Sequence, residues 1–211
     1  GIGREWDRLT SVTLASGETV ACGTVVNAAG PRASLIADMV GVELKIEPRK
    51  RYTFVFDCAE DLGRDVPLTI DPSGVHVRSD GDAYMAGCTP DIDPAVAYDD
   101  YEIDQDIFED KVWPALVNRI PAFERIKIQT QWAGHYAHND FDHNVIVGPH
   151  GDVANFVLAN GFSGHGVQQS PAIGRGVSEL ITYGEYRTLD LTSLGHARIV
   201  DGEPFIESAI I

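Results

Sequence analysis

Gly161-Phe162-Ser163-Gly164-His165-Gly166 runs into Ser170-Pro171 and then a long apolar-periodic stretch. Three glycines in six residues give a backbone that can lie against a flat ligand. Ser170 suits an N-cap and Pro171 the first helical position, so the pattern predicts a helix opening at Pro171. Ile173, Val177, Leu180 and Ile181 share one face of that helix, and Gly184 supplies its stop. Bare amides ahead of a helix N-terminus hold negative charge. Two readings of the glycines stand side by side. They permit contact with a ligand, or they permit close packing in a tight strand-to-helix turn, because glycine marks close backbone approach of either kind.

Upstream of this segment, Asn155 to Leu158, Asn144 to Val147 and Ile126 to Tyr136 read as strands. A helix is predicted over Tyr101 to Val117, with Ile103, Ile107, Val112 and Leu116 facing inward. Strand patterns at Arg51–Phe56, Leu68–Ile70, Val75–Arg78 and Ala83–Ala86, separated by turn residues, predict an antiparallel sheet. Leu9 to Ala15 and Thr19 to Asn27 form a predicted hairpin. A helix follows from Pro31 to Gly41. Strands and helices mix without strict βαβ alternation, which gives α+β, or the remainder of an α/β domain joined to an antiparallel sheet. The tail from Glu185 is mixed and is expected to wrap the body.

The 211 residues carry 32 acidic against 16 basic side chains, a net charge of −16, which argues against nucleic-acid and anionic-membrane partners. The acid-rich stretch Asp99 to Asp110 reads as a solvated face leading into a helix. No apolar run is long enough to cross a bilayer. Cys22, Cys58 and Cys88 are far apart and form no CxxC, so a reduced, cytoplasmic compartment is expected. The opening Gly1-Ile2-Gly3-Arg4-Glu5-Trp6 shows no start methionine or leader, which suggests a piece of a longer protein.

Three chemistries are weighed against this sequence. A serine nucleophile elbow needs Gly-x-Ser-x-Gly, and Gly161 to His165 fails at the fifth place. His135, His138, Asp140, Asp142 and His143 are dense, but on an extended chain they split between two faces and lack the usual metal spacings, so no metal is expected. Gly1-x-Gly3 lacks a third glycine and a preceding strand, so it is no dinucleotide fingerprint.

Two separated motifs in this order carry a resemblance. Val25-Val26-Asn27-Ala28-Ala29-Gly30-Pro31 and Gly161-Phe162-Ser163-Gly164-His165-Gly166 resemble the strand-turn and the C-terminal flavin-contacting segment of FAD-dependent amine oxidoreductases. This is the D-amino-acid oxidase superfamily, with glycine oxidase, sarcosine oxidase and dimethylglycine dehydrogenase. The likeness continues through Trp132-Ala133-Gly134-His135-Tyr136, through Asp142 to Pro149, and to the end at Glu207-Ser208-Ala209-Ile210-Ile211. The tail is most similar to the branch containing a mitochondrial member linked to respiratory complex I assembly. The resemblance implies residues 1–41 as a partial FAD-binding domain whose N-terminal dinucleotide unit is absent. It implies 42–125 as an antiparallel substrate-binding sheet domain, 126–184 as the return to the FAD domain, and 185–211 as a tail.

The resemblance also implies chemistry. A small amine or amino acid loses hydride from its α-carbon to FAD and gives an imine, with an electron acceptor that is not identified. The cofactor would be held by Ala29, Gly30, Gly161, Phe162, Ser163, Gly164, His165 and Gly166, with His165, Gln168 and Tyr136 nearest the chemistry. Gln168 stands where sarcosine oxidase-type members carry a lysine that promotes reaction with oxygen, which points to dehydrogenase-like or slow oxidase activity. Gly134 and His135 replace the cysteine to which some relatives attach FAD, so noncovalent FAD is expected. Tyr136 or His135 replaces the carboxylate-binding arginine of glycine oxidase. The carboxylate partner would then come from Arg49, Arg51 or Arg78, with Tyr52 lining the pocket. Two rival readings are an assembly or interaction factor with vestigial chemistry, and a stand-alone binding module. The 211 residues alone are expected to bind FAD weakly or not at all and to self-associate through exposed strand edges.

Overall fold

The computed structural model describes residues 1–208 and divides them into two packing units. The end of the family likeness, residues 209–211, lies outside the described residues. The first unit comprises Gly1–Pro48 and the returning residues 136–208; the second comprises Arg49–His135.

The first unit opens with strands β1 (Ile2–Glu5), β2 (Arg8–Thr13) and β3 (Thr19–Ala21), an antiparallel sheet in that order. The extended stretch expected from Thr19 to Asn27 is broken. After Gly23 the chain re-forms as β4 (Val25–Asn27), which joins a different sheet. A turn over Gly30–Arg32 leads into helix α1 (Ala33–Asp38). Strand β5 (Ile46–Cys58) then runs from the first unit into the second. Its alternation is regular: Tyr52, Phe54 and Phe56 are buried while Thr53 and Val55 are only partly covered.

In the second unit β6 (Thr69–Ile70), β7 (His76–Asp80) and β8 (Ala83–Cys88) pair antiparallel. A wide helical turn over Phe108–Val112 continues into α2 (Trp113–Arg119), and β9 (Ile126–Asn139) runs back into the first unit. The sheet order is β6-β7-β8-β5-β9. Phe54 packs on Phe108 with ring centres 4.8 Å apart, and Phe56 meets Phe123 edge-on at 5.2 Å. The helical stretch expected from Tyr101 starts instead at Asp106. Asp100 Oδ1 accepts the N–H of Glu102 and Asp104 Oδ1 accepts that of Asp106, each at 3.1 Å. These local bonds compete with the helix for its first donors.

Back in the first unit, β10 (Ile146–Pro149) and β11 (Phe156–Asn160) are antiparallel, and β11 runs parallel to β4. All five residues of β11 are buried, as befits a strand covered on both faces. Phe156 and Leu158 join the cluster with Ala33, Ala37 and Ile46, whereas Ala159 joins that of Ile173 and Leu191. Ile173 lies on α3 (Gly166–Tyr183), and α4 (Ala197–Asp201) follows. The helix expected to open at Pro171 with Ser170 as cap therefore begins five residues earlier, with His165 in the cap position. Pro171 sits inside it and offers no N–H to the Val167 carbonyl; the Ser170 hydroxyl donates to that carbonyl instead, at 2.8 Å. Gly184, at φ 77°, ends the helix as the sequence predicts.

Candidate functional site

Strands β4 and β11 end side by side and in the same direction, at Asn27 and Asn160. Each then turns into a helix, α1 or α3. Parallel strand ends that open into helix N-termini are where α/β sheets accept ligands. Gly30 has φ +57°, and a Cβ there would meet nothing within 4 Å, so the turn after β4 leaves open space above it. Asn27 braces this turn. Its Nδ2 donates to the Ala33 carbonyl at 2.9 Å and its Oδ1 accepts the Ala29 N–H at 3.2 Å.

The turn after β11 is tightly held from behind. Gly161, Ser163 and Gly164 all have positive φ, 70°, 45° and 100°. Ser163 is fully buried and donates its N–H to the Ala137 carbonyl at 3.1 Å. Its hydroxyl accepts the Asn139 N–H at 3.1 Å and donates to the Gly161 carbonyl at 3.3 Å. A Cβ on Gly161 would come within 2.7 Å of Ile46, and one on Gly164 within 2.6 Å of the Tyr136 hydroxyl. The missing side chains thus make room for protein behind the turn. The backbone of Gly164 itself is exposed on the other side, as are Val167 and Gln168. The first α3 bond, Gln169 N–H to the His165 carbonyl, leaves the amides of Gly166, Val167 and Gln168 at the positive end of the helix.

Buried polar atoms without a partner gather here. Among the described residues, Asn160 Oδ1, His165 Nδ1 and Gln169 Oε1 have no hydrogen-bond partner. Sequence reasoning missed Asn160 and Gln169. The signal for Asn160 was a polar residue closing the apolar run of β11, where a strand core would otherwise continue. Of the candidate residues, the fold brings Tyr136, Gly161 to Gly166 and His165 together in the first unit. It places Ala29 and Gly30 at the end of β4, which pairs with β11. Phe162 packs on the α3 side of the sheet and touches the α-carbon side of Gly166.

The remaining candidates belong to the second unit. Arg51 makes a two-pronged pair with Asp93 at 2.8 and 2.9 Å, and Arg49 donates to the Asp93 carbonyl at 2.8 Å. Arg78 pairs with Asp80 at 2.9 Å. Tyr52 is buried in the sheet core, and burial raises its pKa. His135 stacks on Tyr101 at 4.2 Å and its Nε2 lies 2.7 Å from the Asp100 carbonyl oxygen. Among the described residues no three His, Cys, Asp or Glu side chains converge as a metal group would need.

The donor set suits FAD. It offers open backbone above Gly30, exposed residues at the start of α3, and buried polar atoms without a partner among the described residues at His165 and Gln169.

The family model described as FAD dependent oxidoreductase (DAO) matches residues 1–180. FAD-dependent oxidoreductase domain-containing protein 1 of Xenopus laevis is 42% identical over 207 residues, covering 92% of this chain and 42% of that protein. The chain spans less than half the length of the first curated relatives it matches. Among solved structures, L-proline dehydrogenase from P. horikoshii superposes with TM-score 0.86 at 28% identity, covering 97% of this chain and 54% of that one. Glycine oxidase from Geobacillus kaustophilus shares the fold with TM-score 0.70 at 21% identity, over 88% of this chain and 48% of that one. No helix among the described residues is long and apolar enough to cross a membrane.

Proposed function

This chain belongs to the FAD dependent oxidoreductase (DAO) family, and we propose that the whole protein oxidises a small amine or amino acid at its α-carbon, giving an imine. FAD, held noncovalently, supplies the hydride acceptor when bound. The observation that carries this reading is the turn after β11. It is rigid on its protein side through Ser163 and Tyr136, and open on the side where Gly164 and the first α3 amides lie.

The chain's own residues have distinct tasks in this proposal. Gly164 and Gly166 present N–H groups, and α3 its positive end, to negative charge that develops on the ring. Ala29 and Gly30 stand by the cofactor's pyrophosphate side. Ser163 and Tyr136 fix the turn so that those amides need no reorganisation during reaction. Gln168 is exposed and uncharged at the start of α3, which supports transfer of electrons to an acceptor other than oxygen. The first unit provides the FAD-binding part and the second the substrate sheet. Relatives and neighbours named as dehydrogenases and oxidases of amino acids support the class.

A second reading is supported by the arginines. Arg49, Arg51 and Arg78 already face the carboxylates of Asp93 and Asp80. A substrate carboxylate would have to displace these, which favours an interaction factor with little turnover. Anaerobic titration of the whole, flavin-loaded protein with secondary amines and amino acids separates the two. Bleaching of the flavin absorbance by a member of the panel supports oxidation. A flavin that no member reduces supports the scaffold.

A further inference from the structure

We propose that the first unit carries a further small-molecule site, a cleft at the end of β10 that takes a free α-amino acid with an apolar side chain. The cleft holds about 770 Å³, a size usual for small-molecule sites, and none of the residues assigned above to FAD lines it. Its walls include Arg4 on β1, residues 41–45 after α1, His150 just past β10 and His196 just ahead of α4. Strand β10 is the edge of its sheet opposite to β4.

His150 is only 8% exposed. The Asp152 N–H donates to its Nδ1 at 3.1 Å, which sets the proton of the neutral ring on Nε2. Burial holds the His150 pKa below its ordinary value, with Asp152 pulling it up and Arg4 pushing it down. The ring is therefore a neutral donor at neutral pH, and no acceptor reaches Nε2 among the described residues. The His196 ring lies beside it, centres 4.6 Å apart. Burial lowers its pKa too; His150 and Arg198 add to this and Asp152 opposes it. Arg4 and Asp152 thus act on one imidazole with opposite charge, yet they form no ion pair with each other among the described residues. Arg4 donates instead to the carbonyls of Val40 and Trp6. The other charges at the cleft have neighbours of their own. Lys45 lies 3.6 Å from Glu43, and Asp140 lies 3.9 Å from His138 Nε2.

The ligand class follows from these two opposite charges. A simple carboxylate would meet Arg4 and the His150 N–H but face the Asp152 charge. A simple amine would meet Asp152 but face Arg4. An α-amino acid carries both charges on one carbon, so its carboxylate goes to Arg4 and His150 and its ammonium to Asp152. Buried Val42 and Leu44, with Ile199, form the apolar wall for its side chain.

The test compares three probes on the whole, flavin-loaded protein under anaerobic conditions. They are L-leucine, 4-methylpentanoate, which lacks the ammonium, and 3-methylbutylamine, which lacks the carboxylate. Affinity is read from hydrogen–deuterium exchange at 41–45 and 196–200 as each is titrated, so that binding elsewhere is not counted. L-Leucine should slow exchange there, and each analogue should bind at least about tenfold more weakly, the weight of one charged hydrogen bond. In Asp152→Asn, leucine and 4-methylpentanoate should bind alike. In Arg4→Gln, leucine and 3-methylbutylamine should bind alike. Asp152→Asn carries the test alone should loss of the Arg4 bonds unfold β1. Unchanged exchange at 41–45 and 196–200 under saturating leucine would overturn the proposal. So would an analogue that protects the wild-type cleft as tightly as leucine, or a difference between leucine and 4-methylpentanoate that survives Asp152→Asn.

Discussion

At the scale of single residues, the turn after β11 makes a sharp demand. Gly164 combines φ +100° with the Tyr136 hydroxyl 2.6 Å from where a Cβ would stand. Gly164→Ala should destabilise the first unit by about 1–3 kcal/mol, read by thermal unfolding. Adding Tyr136→Ala should restore only part of this, because the backbone strain stays. A second residue-scale device is the buried pair of Asp142 and Arg198, with N–O distances of 2.6 and 3.0 Å and side chains 0% and 7% exposed. Burial raises the Asp142 pKa, but the Arg198 guanidinium and the N–H groups of Phe205 and Asn144 outweigh it and bring the carboxyl below its usual range. Arg198→Ala leaves that carboxylate buried without a counter-charge, at an expected cost of about 3–5 kcal/mol in denaturant unfolding. The double change with Asp142→Asn should cost less than the single one.

Glu179 adds a pH signature at the same scale. The Thr188 hydroxyl, then the N–H groups of Arg187 and Thr188, hold its carboxyl at about 2. The unfolded chain titrates it near 4.3. Folded below unfolded means that its stabilisation is complete above the unfolded value and disappears as pH falls toward about 2. Urea unfolding from neutral to acid pH should show this loss in the wild type, and Glu179→Gln should flatten that limb. An unchanged limb would mean that the Glu179 bonds do not couple to folding.

At the scale of elements, α3 shows what a sequence pattern can and cannot reveal. Its inner face, with Ile173 and Val177, and its stop at Gly184 are legible because periodicity and left-handed caps are local. Its start is not. Ser170 and Pro171 form a strong local start signal, yet the helix begins at Gly166 because tertiary bonds to Ala137 and Asn139 place the turn, and Ser170 then serves the carbonyl that Pro171 abandons. Pro171→Ala should therefore stabilise the protein, since proline inside a helix costs up to about 3 kcal/mol relative to alanine. Ser170→Ala should cost about 0.5–1.5 kcal/mol in the wild type and much less beside Pro171→Ala. Equal losses in both backgrounds, by thermal unfolding, would refute the relay. The two glycine-bearing turns, after β4 and after β11, were legible as motifs in sequence. The partnerless Asn160 oxygen was not, because its isolation depends on Asn27, 133 positions away in sequence.

At the scale of the whole molecule, two long strands, β5 and β9, run through both packing units. The packing units divide at Pro48 and His135, and Val42, Leu44 and Ile46 pack in the core of the first unit. Strand β4 ends its sheet, with Val26 39% exposed and no partner on its outer edge among the described residues. The 211 residues alone should self-associate, and Val26→Lys should reduce this in sedimentation velocity. The central claim, that the turn after β11 faces FAD, is tested most directly by hydrogen–deuterium exchange of the whole protein with and without the cofactor. The account predicts that FAD slows exchange at the amides of 164–168 and at 28–30. Binding of FAD with unchanged exchange at 164–168 would contradict it.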